Sequence, residues 1–169
     1  MCNTKVSEMK FLSVFTSLII LSFLYLSCEE EKNCFNSNQN LGDIEGNYDL
    51  GKCFVVLADS QYVFTNIEDF QELRSEIDEM YLEANAACDT AILKNPDFEK
   101  YSLLGMRTMV QACAVAYVRE VKIDIAARKY IYSIKATPCG DCNSVNISMN
   151  WVLVPKIPQD FTVDFLILK

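Results

Sequence analysis

Residues 113–134 read CAVAYVREVKIDIAARKYIYSI, and the order of apolar and polar side chains in this stretch decides the fold class. Apolar residues recur mostly at every second position over 113–123 and again over 130–134, with a break at 124–128. An alternation with period two is typical of a β-strand with one buried face. A short break between two such runs is typical of a turn between antiparallel strands. The stretch therefore predicts two neighbouring antiparallel strands.

The same pattern predicts further strands on both sides of this stretch. Upstream, short apolar runs rich in β-branched and aromatic residues are separated by a turn signal at Asp59 and Ser60. Downstream, apolar residues alternate again up to the end of the sequence. The additional predicted strands are 53–57, 61–64, 101–106, 147–154 and the alternating residues Phe161, Val163, Phe165 and Ile167.

One long helix is predicted between the upstream and downstream strands. Thr65, followed by Glu68 three residues later, fits a capping box, and apolar residues then recur at intervals of three or four. The helix ends by about Leu93, because the residue before Pro96 is pushed out of the α region. The resulting fold class is α+β, an antiparallel β-sheet of about five to six strands with one main helix packed on it. The apolar face consists of Ile67, Phe70, Leu73, Ile77, Met80, Ala84 and Cys88.

Composition excludes several classes of function. The chain has 169 residues and no histidine, which removes Ser-His-Asp and Cys-His catalytic pairs and histidine-ligated zinc. A net charge of −8 provides no basic surface for a phosphate backbone, so no nucleic-acid partner is expected. The glutamates at 68, 72, 76 and 79 form one stripe of the helix and lack the loop geometry of a calcium site, which indicates a solvated face. We predict no catalytic residue, no cofactor and no metal site.

The N-terminal residues are typical of an export signal. Lys5 and Lys10 precede an apolar and hydroxyl-bearing run at 11–27, and Cys28 follows it directly. A transmembrane helix is the alternative, because the run reaches only the lower limit for spanning about 30 Å of hydrocarbon. We predict a lipoprotein signal peptide at 1–27, a lipidated cysteine with a flexible acidic and polar tether at 28–51, and a single α+β domain at 52–169.

Cys28 resembles the cysteine of the bacterial lipobox, which is acylated and becomes the first residue of the mature lipoprotein. The three glutamates at 29–31 resemble the tether of Bacteroidota-type lipoproteins that are sent to the outer surface of the outer membrane. A solvated linker is the alternative interpretation of these glutamates. The resemblance implies a protein of the bacterial cell envelope, held to the outer membrane by palmitate or a similar acyl chain.

The number of cysteines agrees with export. Six of them remain beyond Cys2 and Cys28, and an even number in an oxidising compartment predicts up to three disulfides. A bridge between Cys34 and Cys53 is favoured, because both lie in the loop-rich N-terminal part. The candidates are Cys34, Cys53, Cys88, Cys113, Cys139 and Cys142.

The segment Cys139-Gly140-Asp141-Cys142 is the one motif of the sequence whose residue types can perform redox chemistry or bind a metal. A Cys-x-x-Cys pair can shuttle disulfides when a helix N-terminus lowers the pKa of its first thiol. Here Thr137 and Pro138 precede the motif and a β-branched stretch follows it, so we predict a turn between strands. A zinc site would need further cysteines at matching spacing. A structural disulfide is therefore the favoured interpretation, with redox chemistry as the alternative.

The order of elements resembles that of small envelope lipoproteins related to the protease-complex PrcB family. The residues that carry this resemblance are DFEKYSLLG at 97–105, after the helix, and WVLVPKIP at 151–158, before the last strand. It covers residues 53–169. It implies an accessory or binding role in the envelope without catalytic residues, and it assigns no functional residue other than Cys28.

These observations lead to one functional prediction with two alternatives. We predict a lipid-anchored cell-envelope protein that is not an enzyme and that binds or scaffolds an envelope protein partner through a sheet edge or the acidic helix. The first alternative is a thiol-disulfide redox protein or sensor that uses Cys139 and Cys142. The second is a protease-associated or inhibitor-like protein that presents the proline-flanked loop at 155–158.

Overall fold

The computed structural model describes residues 38–50, 60–83, 94–140 and 142–168. Within these ranges, eight strands and one helix follow one another along the chain. The elements are β1 (Gln39–Gly42), β2 (Gly46–Asn47), β3 (Gln61–Phe64), α1 (Ile67–Glu83), β4 (Tyr101–Gln111), β5 (Ala114–Asp124), β6 (Lys129–Cys139), β7 (Val145–Pro155) and β8 (Thr162–Leu168).

The strands form two four-stranded sheets. The first has the order β1-β5-β6-β8 and the second the order β2-β7-β4-β3. The β1–β5 and β6–β8 pairs are parallel, β5–β6 is antiparallel, and every pair of the second sheet is antiparallel. The α+β class with one helix is confirmed for the described residues. The prediction of one antiparallel sheet of five to six strands is wrong, because alternation within a strand does not determine which strand pairs with it.

The two sheets and the helix stack in three layers. The second sheet lies in the middle, so its strands β4 and β7 are buried on both faces. Successive residues of these strands, such as Leu103 and Leu104, point to opposite layers. The layer between the sheets is formed by Leu104, Met106, Tyr117, Val121, Tyr130, Tyr132, Ile134, Val152, Val154 and Ile157. The layer under α1 is formed by Leu50, Phe64, Phe70, Leu73, Ile77, Phe98, Leu103 and Trp151.

Trp151 packs flat against the backbone of β4. Its register partner is Gly105, and a Cβ at that position would lie 2.1 Å from the indole ring. The glycine therefore provides the space that the indole occupies. The indole also lies beside the rings of Tyr62 and Phe64, at centroid distances of 5.7 and 6.2 Å. Trp151 is therefore a core aromatic residue.

The helix begins one residue later than the predicted capping box. Asn66 is the N-cap: its Oδ1 accepts a hydrogen bond of 2.8 Å from the backbone N–H of Asp69, and its Nδ2 donates one of 2.8 Å to the carboxylate of that residue. The box is therefore formed by Asn66 and Asp69 rather than by Thr65 and Glu68. The glutamates at 68, 72, 76 and 79 are exposed, as predicted.

Downstream of the helix, the predicted strands begin within two residues of the observed ones, but the predicted ends of β4 and β6 are five residues short. The turn at 124–128 is observed at 125–128, and β4 extends beyond the predicted 101–106. Residues 38–50 differ from the prediction of a flexible tether, because they contain β1 and β2 and the buried Leu50. Their polar composition conceals the strands, whose pairing is supplied by β5 and β7. The predicted strand at 53–57 and the helix end near Leu93 lie outside the described residues.

Candidate functional site

Strand β8 forms one edge of the first sheet and pairs only with β6 in the described part of the chain. The N–H of Thr162 donates to the carbonyl of Arg128 at 3.0 Å, so Thr162 directs its backbone groups toward β6. Backbone groups of a strand alternate in direction from one residue to the next. The N–H and C=O groups of Val163, Phe165 and Ile167 consequently face the outer edge, where no described strand pairs with them.

The side chains of β8 divide between the core and the solvent. Phe165 packs edge-on against Tyr132, with ring centroids 6.0 Å apart, and fixes the strand to the layer between the sheets. The last three described residues, Leu166, Ile167 and Leu168, are 47, 59 and 44% exposed. Natural edge strands usually carry lysine, proline or free charges that oppose pairing. An apolar edge strand of this kind is typical of an interaction site.

The only charged side chain of β8 is Asp164, which is tied to its own sheet. Its carboxylate forms an ion pair of 2.8 Å with the ammonium group of Lys129, on the neighbouring strand β6. The lysine neutralises the carboxylate locally, which weakens its ability to repel an approaching strand. Charge therefore gives this edge little protection against pairing.

A cleft of about 520 Å³ lies at the start of β8, between the edges of the two sheets. The ammonium group of Lys156 stands at its rim and donates hydrogen bonds to the carbonyls of Thr65 and Phe98, the latter at 2.6 Å. These bonds hold the segment after β7 against the start of α1. The cleft is lined by Val63, Thr65, Asn66, Lys156, Ile157, Pro158, Gln159, Phe161 and Val163.

The proline-flanked loop at 155–158 is docked on the domain. Ile157 is buried, and its N–H donates to the hydroxyl of Ser102 at 3.0 Å. The N–H of Lys156 also donates to the carbonyl of Lys100. A loop that is bonded on both its backbone and its side chains forms a wall of the cleft instead of projecting from the surface.

A polar network connects the two sheets at the middle of their strands. The guanidinium group of Arg119, on β5, donates from Nε and Nη2 to Oδ1 of Asn150, on β7, at 3.0 and 2.8 Å. The amide of Asn150 donates to the hydroxyl of Thr108 at 3.1 Å. The ring of Tyr117 lies 5.2 Å below the guanidinium group. Asn150 is therefore satisfied on both sides of its amide although it is 1% exposed.

Burial changes the acid–base behaviour of this network. Desolvation lowers the pKa of Arg119, and the nearby tyrosines Tyr132 and Tyr117 oppose that shift. Desolvation raises the pKa of Tyr132, whose hydroxyl donates to the carbonyl of Asn150 at 3.1 Å, and Arg119 opposes this shift. The network consists of guanidinium, amide and hydroxyl groups, and no described carboxylate forms an ion pair with Arg119. It has the composition of a structural cross-link between sheets rather than of a catalytic centre.

The predicted disulfide chemistry is confirmed in part. A disulfide joins Cys113, in the turn between β4 and β5, to Cys142, in the loop between β6 and β7. Cys139 is also disulfide-bonded, so the two cysteines of the Cys-x-x-Cys segment belong to different bridges. In a redox centre of this spacing the two cysteines bond to each other. Cys28, Cys34, Cys53 and Cys88, and with them the favoured Cys34–Cys53 bridge, lie outside the described residues.

Gly140 makes room for the Cys113–Cys142 disulfide. Its φ of +70° lies in the left-handed region, and a Cβ there would lie 2.7 Å from Sγ of Cys113. The neighbouring backbone holds the same two loops together, because the N–H of Ala112 donates to the carbonyl of Ser144 at 3.0 Å.

Within the described ranges, no three metal-ligating side chains come close enough together to hold a metal ion. Among the helices that these ranges contain, none has the length and apolar character needed to cross a membrane. Comparison of the chain with protein-family models, with curated proteins and with solved structures gives no match.

The sequence located part of this site. The alternation of Phe161, Val163, Phe165 and Ile167 predicts the strand, and a sheet edge was one of the two predicted binding surfaces. The position of β8 at the edge was missed, because it depends on pairing with β6 instead of with the preceding strand β7. The cleft was missed for a similar reason, since its walls come from segments near residues 65 and 160 that are far apart in the sequence.

Proposed function

We propose that this chain is a non-catalytic binding protein of the bacterial cell envelope that holds an extended segment of another polypeptide along β8. The observation that carries the proposal is the outer edge of β8, where the backbone groups of Val163, Phe165 and Ile167 have no described strand partner. Leu166 and Leu168 add exposed apolar surface to the same edge. The site therefore offers both hydrogen-bonding groups and apolar contacts to a strand.

In strand addition, the hydrogen-bonding groups and the apolar contacts of the edge contribute differently. Main-chain hydrogen bonds to the sheet edge provide affinity, and contacts of alternate side chains provide specificity. An extended segment beside β8 would direct every second side chain toward Val163 and the cleft, and the others toward Leu166. A segment with apolar residues in both positions fits this surface, because it would remove apolar area from water on both faces.

The proposal places the domain at the outer membrane through acyl chains on Cys28. It is supported by the export signal at 1–27 and by the resemblance of Cys28 to a lipobox cysteine. The accessory role implied by the resemblance to the PrcB family is consistent with binding, and this resemblance remains a prediction. The redox and inhibitor alternatives also remain predictions, and no described contact favours either of them.

Photo-crosslinking in the native membrane tests the binding half of the proposal. A photoreactive amino acid replaces Leu166 in the full-length chain, and a matched variant carries it at Lys122, which is exposed on the same sheet but lies on the inner strand β5. We expect a discrete protein adduct from position 166 and none from position 122. Equal adducts from both positions would contradict the proposal.

A second pair of variants tests whether the partner binds through the backbone groups at the outer edge of β8. Ile167→Pro removes an outward N–H without removing a hydrogen bond to β6, whereas Ile167→Ala keeps that N–H and shortens the side chain. We expect the proline variant to lose most of the adduct at 166 and the alanine variant to keep more of it. Unchanged adduct in the proline variant would show that strand addition is not involved.

Mass spectrometry of the same membranes tests the anchor. We expect Cys28 at the N-terminus of the mature chain with acyl chains attached, and release of the protein from the membrane in the Cys28→Ser variant. A mature chain in which Cys28 is unmodified would contradict the anchor, while the crosslinking result would stand on its own.

A further inference from the structure

We infer that the strand held by β8 is β8 of a second copy of this chain, paired antiparallel across a two-fold axis. This inference rests on the proposed function and names the partner of the same edge. Cyclic dimers are the commonest oligomers, and a two-fold interface requires a surface that is complementary to itself. Two properties of β8 determine whether it is complementary to itself. They are the positions of its outward hydrogen-bonding groups and the position of its one charged residue, Asp164.

The outward backbone groups select one register. With Phe165 opposite its own copy, Val163 lies opposite Ile167 of the second copy, and all outward N–H and C=O groups pair in about six hydrogen bonds. A register centred on Leu166 retains about four, because Val163 then has no partner within β8. A register centred on Asp164 also retains about four, since the N–H of Phe161 already donates to the carbonyl of Pro158.

The charge on β8 selects the same register. Centring the pair on Asp164 places the two Asp164 carboxylates directly opposite each other, and like charges in that position are destabilising. Centring it on Phe165 places each Asp164 opposite Leu166 of the second copy instead. The carboxylates are then separated, and each one keeps its ion pair with Lys129 of its own sheet.

The dimer in this register would join the two copies into one continuous eight-stranded sheet. Phe165 would approach its own copy on the inner face, where it already packs on Tyr132. On the outer face, the Leu166 side chains would be covered in part by the opposite strand. The second copy would thereby cover the edge that is exposed in a single copy, and no unpaired β8 edge would remain for further pairing.

A pair of opposite charge substitutions at Leu166 tests both the partner and the register. In the proposed register, Leu166→Lys places a cation opposite Asp164 of the second copy, and Leu166→Asp places a second carboxylate there. Both remove the same apolar side chain, and two-fold symmetry doubles the difference between them. We expect the dimer dissociation constant of the aspartate variant to exceed that of the lysine variant by about tenfold or more.

The experiment uses the full-length chain in detergent, with the dissociation constant measured by sedimentation equilibrium. Leu168→Lys and Leu168→Asp are the matched controls, because Leu168 lies opposite Thr162 in this register and charge there should change the constant by no more than about twofold. The inference is supported by a dimer whose dissociation constant is higher for Leu166→Asp than for Leu166→Lys and changes little with the charge at Leu168. A dimer that responds equally to both charges at Leu166 overturns it.

The remaining outcomes separate this inference from the proposed function. If the chain is monomeric at all concentrations and photo-crosslinking at Leu166 gives an adduct with a different protein, the inference is overturned and the proposed function stands. If crosslinking at Leu166 gives an adduct of twice the mass of the chain, both are supported. If neither an adduct nor a dimer forms, both are overturned.

Discussion

Single residues in this protein carry structural roles that depend on their depth in the core. Asn150 and Arg119 are polar residues within the layer between the sheets, and the guanidinium group of Arg119 donates two hydrogen bonds to the amide oxygen of Asn150. The hydroxyl of Tyr132 joins the same network through the carbonyl of Asn150. A buried polar group destabilises the fold when it has no hydrogen-bond partner. Because the partners here lie on opposite sheets, their hydrogen bonds fix how the two sheets face each other.

The buried hydroxyl of Tyr132 predicts a loss of stability in alkali. Burial raises the pKa of Tyr132 above its ordinary value of about 10, so the folded protein retains this proton where the unfolded chain releases it. The stabilisation is complete below that ordinary value and is lost as the pH rises above it. We expect the free energy of unfolding to fall above about pH 10, measured by urea denaturation at a series of pH values.

Two variants separate this effect from general alkaline unfolding. Tyr132→Phe should be less stable at neutral pH, because the carbonyl of Asn150 loses its hydroxyl partner, but its stability should fall less steeply above pH 10 than that of the wild type. Tyr101→Phe is the control for loss of a phenol outside this layer. An equally steep fall in the Tyr132 variant would show that another group is responsible.

At the scale of elements, helix α1 begins at a specific capping interaction. The side chain of Asn66 satisfies the free N–H of Asp69 and fixes where the first turn begins. This turn also borders the cleft, because Thr65 and Asn66 line it and Lys156 donates to the carbonyl of Thr65. The start of the helix therefore positions one wall of the cleft.

The loss of stability on substitution of Asn66 or Thr65 should show which of the two residues is the N-cap. We expect Asn66→Ala to reduce the free energy of unfolding by about 1 kcal/mol, because the N–H of Asp69 loses its acceptor, and Asn66→Asp to restore most of that loss. Thr65→Ala should have a clearly smaller effect, since no described hydrogen bond uses the Thr65 side chain. A larger loss of stability in the Thr65 variant than in the Asn66 variant would show that Thr65 is the N-cap, as the sequence pattern predicts.

At the scale of the whole molecule, the chain passes between the sheets at one end of the sandwich. It leaves the second sheet after β4 and returns to it before β7, and the Cys113–Cys142 disulfide joins these two crossings. The hydrogen bonds between Ala112 and Ser144 hold the same place. The outer edge of β8, which has no partner among the described strands, is formed by other residues. Loss of the disulfide should therefore leave the proposed binding edge unchanged.

Removal of this disulfide should destabilise the domain without changing its binding edge. For a sequence separation of 29 residues, the chain-entropy model gives a loss of about 3.6 kcal/mol in the double variant Cys113→Ser, Cys142→Ser. The loss can be measured by denaturant titration of the fluorescence of Trp151, the single tryptophan of the chain. Ser144→Ala, which removes one hydrogen bond between the same loops, is the control for a local change. A loss in the double variant no larger than in this control would contradict the role of the bridge.

The sequence by itself determined strands β3 to β8, the helix and its buried face, because these follow from side-chain periods of two and of three to four residues within each element. It also predicted strand β8, whose outer edge is the proposed binding site. It missed β1 and β2, whose polar residues carry no such period. The tertiary structure decided that there are two sheets, that β8 pairs with β6 and that Cys142 bonds to Cys113 instead of to Cys139. It alone revealed the bond between Arg119 and Asn150. The physical reason is that periodicity is a local property of the chain, whereas pairing, edges and cross-links are formed by residues that lie far apart in sequence and meet only when the layers pack.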